Sequence, residues 1–348
     1  MPVKISPVLG WIAVVLVAAA SLVVGAPGLF GWSMANPLGQ IVAFRGLLAA
    51  AGLAAFVLVA LVTVGVWVLG RRRPAAPALA LLLVLAVFTG GSVAVMAQRG
   101  LDPQARISWA QLADDHPAAD DEITVLSLNT LWDRVPLASM VNHVRESGAQ
   151  MVAMPEAEAA YANELAVQLE AAGAGRWQVF ATSNPWPNAM LVSSDLGEYR
   201  LTETDIRGLV IADPVGHDGP RLMTVHATPP PSPWPLDSPQ SRHYLGMWWK
   251  RTTAQITAEI RSSDHVIAAG DFNSTLDHET LDFGDRIDVM DGAGGWGTWP
   301  RRWPAWAGTT IDHIVADPTH WQVRDRWVLD EPRSDHRALV ARLAPTGP

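Results

Sequence analysis

The chain has 348 residues, no cysteine and a formal net charge of −9. Residues 1–100 contain six basic and no acidic residues, whereas residues 101–348 contain 19 basic and 34 acidic residues, a formal balance of −15. So abrupt a change in charge composition excludes a single, uniformly soluble domain. It indicates one part suited to a lipid bilayer and one part suited to water. The lack of cysteine fits an exported domain but is equally common in the cytosol, so it decides little.

Three uncharged apolar stretches lie in the first 100 residues, at 8–30, 46–69 and 78–97. Each is close to the roughly 20 residues that a membrane-spanning helix needs. A cleaved signal peptide is an alternative for the first stretch, but the two further stretches and the lack of a small-residue cleavage site argue against it. Residues 1–100 are therefore predicted to form a membrane anchor with three transmembrane helices.

The basic residues of the anchor predict its orientation. Lys4 precedes the first stretch and three arginines at 71–73 separate the second from the third, whereas the loop at 33–40 has no Lys or Arg, although Arg45 follows it. Because short cytoplasmic loops carry the excess of positive charge, the start of the chain and the triple-arginine loop are predicted to be cytoplasmic. An odd number of spans then places the rest of the chain on the outer face of the cell membrane.

After the anchor, residues 101–121 are polar and predicted to be a linker, and residues 122–348 are predicted to form one domain. Short apolar runs alternate there with turn signals, and few helical patterns lie between them. This order favours an α+β fold with two packed sheets and helices outside, a four-layer α/β/β/α sandwich. The predicted strands are 123–128, 151–154, 177–181, 189–193, 209–212, 221–225, 265–269, 310–315, 323–328 and 338–343, and the predicted helices are 137–146, 161–172 and 241–262.

Polar side chains stand where these apolar strands end. Each has an ordinary structural interpretation, such as a turn residue, a carboxylate at a helix start, a surface histidine or a helix cap. Taken together and in this order, they are suited to a single pocket that binds metal and phosphate at one rim of the sandwich. The residues are Asn129, Glu156, His226, Asp271, Asn273, Asp312, Asp335 and His336.

This arrangement resembles the endonuclease/exonuclease/phosphatase superfamily, which includes deoxyribonucleases, apurinic-site endonucleases and bacterial sphingomyelinases. The most specific motifs are GDFN at 270–273 and SDH at 334–336, with IDH at 311–313 between them. The resemblance covers about 123–343, and with the three apolar stretches the chain looks like a bacterial membrane-anchored branch. One departure is Pro155, since the family often has Gln before its metal-binding Glu.

The resemblance implies a divalent-metal site. Glu156 would ligate the ion, with Mg²⁺ expected and Mn²⁺ or Ca²⁺ as alternatives, because carboxylate oxygens suit hard cations. Asn129 would sit beside it and touch metal or phosphate. Asp335 would complete the metal site or its water network.

The same resemblance implies the catalytic groups. Asp271 would orient or deprotonate the attacking water, and Asn273 would hold a phosphoryl oxygen. His336 would donate to the phosphoryl group in the transition state, while Asp312 fixes its ring. His226 would contact the phosphate or protonate the leaving oxygen.

Several other residues are assigned no catalytic role. His313 is expected to point away from Asp312 because adjacent side chains on a strand alternate. The basic residues Arg242, His243 and Lys250 favour a solvated helix face over a phosphate contact. The tryptophans of 292–308 favour packing, with an aromatic rim at the bilayer interface or on a substrate as the alternative.

The expected function is a membrane-anchored, metal-dependent phosphodiesterase on the outer face of the membrane, with nucleic acid as the default substrate. The balance of −15 counts against tight duplex binding, which needs several Lys or Arg contacts to phosphates. A phospholipid or sphingolipid phosphodiesterase is the enzymatic alternative, and a non-catalytic, membrane-held binding module is the alternative of another class. The bilayer and a phosphodiester substrate are the expected partners, and the sequence indicates no protein partner.

Overall fold

The computed structural model describes residues 7–70, 75–114, 121–183, 186–232 and 238–347. Two compact units divide the chain, Met1–Gln98 and Arg99–Pro348. The basic residues on which the predicted orientation depends, Lys4 and the three arginines at 71–73, lie outside the described residues.

The first unit is built from apolar helices. Three of the helices that the structure describes are long and apolar enough to cross a membrane, as the sequence predicts. The first of these ends earlier than expected, because the chain leaves the α-helix at Gly25 ahead of Pro27, which has no N–H to continue it. Arg45 donates from Nη1 to the Gly25 carbonyl at 2.8 Å and so satisfies an end carbonyl of this helix. The helices are α1 (Pro7–Gly25), α2 (Leu38–Ala43), α3 (Arg45–Gly70) and α4 (Ala76–Arg99).

The second unit holds two six-stranded sheets. The strands are β1 (Ile123–Ser127), β2 (Met151–Pro155), β3 (Trp177–Thr182), β4 (Asn188–Ser193), β5 (Tyr199–Thr202), β6 (Leu209–Pro214), β7 (Arg221–His226), β8 (Val266–Asp271), β9 (Ile287–Asp288), β10 (Asp312–Ala316), β11 (Trp321–Asp330) and β12 (Arg337–Pro345). The strand orders are β11-β12-β1-β2-β4-β3 and β5-β6-β7-β8-β10-β9. The neighbours β1/β2 and β7/β8 are parallel, and every other neighbouring pair is antiparallel. The helices are α5 (Trp109–Ala113), α6 (Leu137–Ser147), α7 (Ala159–Ala171) and α8 (Pro239–Ser262).

Alternating side chains along the buried strands produce the layers. In β1, Val125 joins the core between the two sheets and Leu126 joins the core under α6 and α7. A third core, which contains Ile256 and Ile260, packs α8 against the second sheet. Because successive strand residues face opposite sides, runs that are apolar throughout fill two cores at once. The predicted four-layer α/β/β/α architecture is confirmed.

Part of the predicted linker packs onto the second unit. Arg106 pairs with Asp330 at 3.0 Å, and the Trp109 indole stacks on His143 with ring centroids 3.8 Å apart. Leu112 is only 1% exposed. Residues 101–114 therefore do not form a free tether, and the apolar side chains spaced among their polar neighbours supply the buried face of α5.

The strand register places the predicted site residues at one rim. In the second sheet Asp271 pairs with both His226 and Asp312, so three site residues lie side by side across β7, β8 and β10. In the first sheet, parallel strands β1 and β2 end just before Asn129 and Glu156. β12 runs antiparallel to β1 and begins directly after His336, which brings the last motif to the same rim.

Candidate active site

Asn129 connects the two sheets at this rim. Its Nδ2 donates to Glu156 Oε1 at 3.1 Å and to Asp271 Oδ2 at 3.2 Å, while its Oδ1 accepts the Leu131 N–H at 2.9 Å. The amide nitrogen thus holds two carboxylates of opposite sheets together. The contact of Asn129 with metal or phosphate stays a prediction.

His336 and Asp312 form a buried ion pair. His336 Nδ1 lies 2.9 Å from Asp312 Oδ2, and His336 Nε2 lies 3.8 Å from Asp271 Oδ2. Burial alone would lower the pKa of His336, but the carboxylates of Asp312 and Asp271 outweigh it and raise the pKa to about 10. His336 is thus an imidazolium at neutral pH, with Nδ1 held by Asp312 and its Nε2–H directed toward Asp271.

Asp271 sits at the centre of the rim. Its Oδ1 accepts the backbone N–H of Asn273 at 2.8 Å, and Asn273 in turn donates from Nδ2 to the Ala227 carbonyl at 2.9 Å. Burial, reinforced by the Asp312 carboxylate, raises the pKa of Asp271 to about 7. The group therefore changes its protonation near neutral pH, a property typical of catalytic carboxylates.

His226 is a neutral histidine beside Glu156. Its Nδ1 donates to the Pro187 carbonyl at 3.2 Å, and its Nε2 lies 3.8 Å from Glu156 Oε1. Burial lowers the pKa of His226 to about 4. Nε2 then carries a lone pair at neutral pH. The expectation that His226 contacts the phosphate or protonates the leaving oxygen stays a prediction.

Ser334 and Trp299, to which the sequence assigns no role in the site, position the other two residues of the SDH motif. Ser334 donates from Oγ to the Asn129 carbonyl at 2.7 Å and accepts the His336 N–H at 2.9 Å. Trp299 donates from its indole nitrogen to Asp335 Oδ2 at 3.1 Å. The sequence does not show whether such a serine or tryptophan only fills space or also positions a site residue. Only the hydrogen bonds in the structure show that Ser334 and Trp299 hold the motif in place.

The chemistry of Glu156 and Asp335 fits a divalent cation. Among the described residues, Glu156 Oε2 and Asp335 Oδ1 are buried and have no hydrogen-bond partner. Burial raises the pKa of Glu156, and repulsion from the Asp335 carboxylate raises it further. Carboxylate oxygens left without donors in a buried site are costly, and a hard cation such as Mg²⁺ satisfies them.

A second group of potential ligands is less suited to metal. Asp271, Asp312 and His336 have ligand atoms within 4.8 Å of one another. However, His336 is protonated on both nitrogens at neutral pH and offers no lone pair. This group is therefore better described as a charge network beside the candidate metal site.

Backbone strain marks the same rim. Glu156 and Asn273 have φ angles of +63° and +49°, in the left-handed region of backbone conformation that residues other than glycine rarely adopt. Residues held in this conformation cost about 1–3 kcal/mol each and concentrate at functional sites.

His313 is separate from this site. Its Nδ1 lies 3.0 Å from Asp288 Oδ2 and its Nε2 lies 3.0 Å from the Ser274 carbonyl. Phe272 and Phe283 pack edge-on against its ring. The prediction that His313 faces away from the site is confirmed.

A family model matches the chain over residues 126–336 and describes the endonuclease/exonuclease/phosphatase family. No curated protein matches the chain in sequence. Similar solved structures include the 3′ phosphatase NExo from Neisseria bound to a product DNA hairpin, at 18% identity and a TM-score of 0.46 over 63% of this chain and 98% of that one. A second is an AP endonuclease from Archaeoglobus fulgidus, at 15% identity and a TM-score of 0.45 over 63% of this chain and 98% of that one. A third is the human Nocturnin catalytic domain with bound sulfate, at 15% identity and a TM-score of 0.46 over 67% of this chain and 97% of that one.

Proposed function

Because this chain belongs to the endonuclease/exonuclease/phosphatase family of metal-dependent phosphoesterases, we propose that it hydrolyses phosphodiester bonds at the rim formed by Glu156, Asp271 and His336. The observation that carries the proposal is the buried network in which Asn129 joins Glu156 to Asp271 and Asp271 faces His336. It places a carboxylate with one oxygen free of hydrogen bonds among the described residues, a carboxylate of raised pKa and an imidazolium around one space.

Glu156 and Asp335 would hold the metal, and Asn129 would position Glu156. When bound, the ion supplies positive charge that polarises a phosphoryl oxygen and stabilises the leaving group. Carboxylate ligands make Mg²⁺ the proposed ion, with Mn²⁺ and Ca²⁺ as alternatives.

The remaining residues would act on the water and the phosphoryl group. Ionised Asp271 accepts the proton of the attacking water. The Nε2–H of His336 donates to a phosphoryl oxygen as negative charge builds there, and Asp312 keeps the ring charged and oriented. Asn273 keeps one amide hydrogen for a phosphoryl oxygen, because the other binds Ala227. His226, whose neutral ring carries no hydrogen on Nε2, accepts a hydrogen bond there from water in the pocket.

Mg²⁺ affinity should be about tenfold weaker at pH 6 than at pH 8. Asp271 has its pKa raised to about 7, so it is mostly protonated at pH 6 and mostly ionised at pH 8. A cation next to Asp271 favours its ionised form, so Asp271 must release its proton when Mg²⁺ binds. One pH unit below the pKa of Asp271, this release weakens Mg²⁺ affinity by about tenfold. Calorimetric titration of Mg²⁺ at both pH values measures this, and Asp271→Asn should flatten the dependence. Equal affinity at both pH values in the unmodified chain would separate Asp271 from the metal site.

Nucleic acid is the proposed substrate, and a substrate panel tests it. The full chain in detergent should be assayed with Mg²⁺ on plasmid DNA, RNA, phospholipid vesicles and bis(p-nitrophenyl) phosphate. We expect hydrolysis of the aryl diester and of at least one nucleic acid. Hydrolysis of phospholipid alone would favour the lipid enzyme, and binding without hydrolysis of any substrate would favour a non-catalytic module.

The lipid alternative is supported by two tryptophans in the loop at 292–308. Trp303 and Trp306 are 44% and 43% exposed, whereas Trp296 donates to the Asp102 carbonyl and Trp299 donates to Asp335. Packing was the favoured interpretation of this loop, and the alternative of a four-residue aromatic rim is now limited to two exposed indoles. Aromatic side chains of this kind favour the membrane–water interface.

Replacing Trp303 and Trp306 with serine should separate the two substrate classes. If these indoles contact a bilayer, hydrolysis of phospholipid in vesicles should fall about 30-fold, since each interfacial indole contributes about 1 kcal/mol. Hydrolysis of the soluble aryl diester should stay within about twofold. An equal effect of the change on both substrates would indicate packing and remove the support for a lipid enzyme.

The three apolar helices support membrane association, and we propose a multi-pass cell-membrane anchor at 1–100 with the catalytic domain at 122–348 on the outer face. Protease added to intact cells should then degrade the catalytic domain while leaving the anchor. The control is a cytosolic reporter protein that stays intact in the same cells. Protection of the catalytic domain until lysis would reverse the proposed topology.

A further inference from the structure

Two arginines share one tryptophan on the surface of the second unit. The guanidinium carbon of Arg207 lies 3.8 Å from the centroid of the Trp248 ring, and that of Arg251 lies 5.0 Å from it. Arg207 Nη1 also donates to the Tyr244 hydroxyl at 3.5 Å. Across the part of the chain that the structure describes, neither arginine pairs with a carboxylate. The neighbouring Lys250 differs, because it is neutralised by Glu279 at 2.7 Å.

Arg207 and Trp248 each stand next to a residue that contacts the catalytic rim. Gly208, next to Arg207, accepts the backbone N–H of His226 at 2.7 Å. Trp249, next to Trp248, donates from its indole nitrogen to the carbonyl of Asn273 at 2.9 Å. Both partners are site residues, so Arg207 and Trp248 are each one residue removed from a direct contact to the site.

Gly208 keeps the Arg207 segment close to that rim. Its φ angle is +74°, and a Cβ at this position would collide with the carbonyl of His226. Only glycine combines this conformation with so close an approach of two backbones. Arg207 therefore stands at a defined place relative to His226.

The charge arrangement indicates an anionic ligand. Two guanidinium groups over one indole repel each other, and residues 101–348 carry, with these two arginines included, a formal balance of −15 that disfavours any anion. A phosphate contacting both arginines relieves that repulsion, and planar guanidinium groups bind phosphate oxygens through paired hydrogen bonds. Stacking on the indole orients the Arg207 plane and limits the side-chain entropy lost on binding.

We propose that Arg207, Arg251 and Trp248 form a subsite for a second phosphate of the substrate, so that the enzyme acts on a nucleic-acid strand with phosphates beyond the one it cleaves. The subsite rests on the proposed phosphodiesterase function. It also explains how so acidic a domain binds a polyanion, since two local cations offset the repulsion where the strand passes. A phospholipid with a single phosphodiester has no group for this subsite.

The test compares one-phosphate and many-phosphate substrates. The full chain in detergent is assayed with Mg²⁺ on bis(p-nitrophenyl) phosphate and on a single-stranded oligonucleotide. Arg207→Gln should lower kcat/KM on the oligonucleotide about tenfold, mainly through KM, because one charge-assisted contact is lost. Turnover of the aryl diester should stay within about twofold. Arg251→Gln should act in the same direction. Arg261→Gln is the matched control, because it removes an arginine from the same helix that is already paired with Asp282.

A binding measurement keeps this inference separate from the proposed function. Anisotropy of a fluorescent single-stranded oligonucleotide, recorded in excess chelator, should show weaker binding for Arg207→Gln and a salt dependence reduced by about 0.7 in slope. No hydrolysis of either substrate by the unmodified chain would overturn the phosphodiesterase, while this binding loss would still support the subsite. Equal losses on both substrates, no loss on the oligonucleotide, or a loss confined to phospholipid vesicles would overturn the subsite.

Discussion

Replacing His336 with alanine is expected to lower kcat/KM on a phosphodiester by about 100-fold or more, the scale of losing one preorganised transition-state donor. His336 is a buried imidazolium whose pKa is raised to about 10, against the effect of burial, by the carboxylates of Asp312 and Asp271. Alanine removes both the positive charge and the Nε2–H donor. Thermal unfolding of the variant checks that the loss of rate is not a loss of folded protein.

Asp312→Asn should cause much of the same loss, because Asp312 acts through His336. Asparagine keeps the shape of the side chain but removes the charge that raises the pKa of His336, and it permits the wrong ring tautomer. The double variant should then be scarcely worse than His336→Ala alone. The measurement is kcat/KM for both single variants and the double variant. If the two single losses multiply, the residues act independently and the proposed pairing fails.

Glu156→Gln is expected to abolish Mg²⁺ binding and to lower kcat/KM by about 1,000-fold, the scale of losing several kcal/mol of metal-derived stabilisation. Glutamine removes the buried Oε2 carboxylate oxygen that has no partner among the described residues. Since burial raises the pKa of Glu156, the neutral amide relieves a desolvation cost. The metal-free variant should therefore unfold at the same temperature as the unmodified chain or at a higher one.

The same chemical change two residues away is the control. Glu158 is exposed and follows the site residue Glu156 in the chain, so Glu158→Gln should leave Mg²⁺ binding and turnover unchanged. The readout is the rise in unfolding temperature on adding Mg²⁺, measured next to kcat/KM. A rise that persists in Glu156→Gln would show that the metal is held elsewhere.

Much of the second unit was predictable because its strands are buried on both faces. The run Met151–Pro155 of β2 is apolar at every position, with Met151 and Val152 in different cores, and the polar residue that follows such a run marks a strand end at the rim. The short edge strands β5 and β9 were not predicted, since β5 is largely exposed and β9 has only two residues. Such strands are defined by their neighbours in the sheet and carry little hydrophobic pattern of their own.

The candidate site was also predictable only in part from the sequence. The sequence identifies Asn129 as a site residue, but the orientation of its amide depends on the Leu131 N–H, which donates to its oxygen. The neutral state of His226 depends on burial, which lowers its pKa even though the hydrogen bond to the Pro187 carbonyl raises it. Identity and order of polar residues can be read from sequence, whereas amide orientation and protonation are set by tertiary contacts.

The requirement for a divalent metal tests the central claim most directly. The full chain in detergent should hydrolyse bis(p-nitrophenyl) phosphate in Mg²⁺, because the proposed site needs a cation to neutralise Glu156 and Asp335 and to polarise the phosphoryl group. Excess chelator should abolish this turnover, and Mg²⁺ added beyond the chelator should restore it. Undiminished turnover in excess chelator would contradict the account.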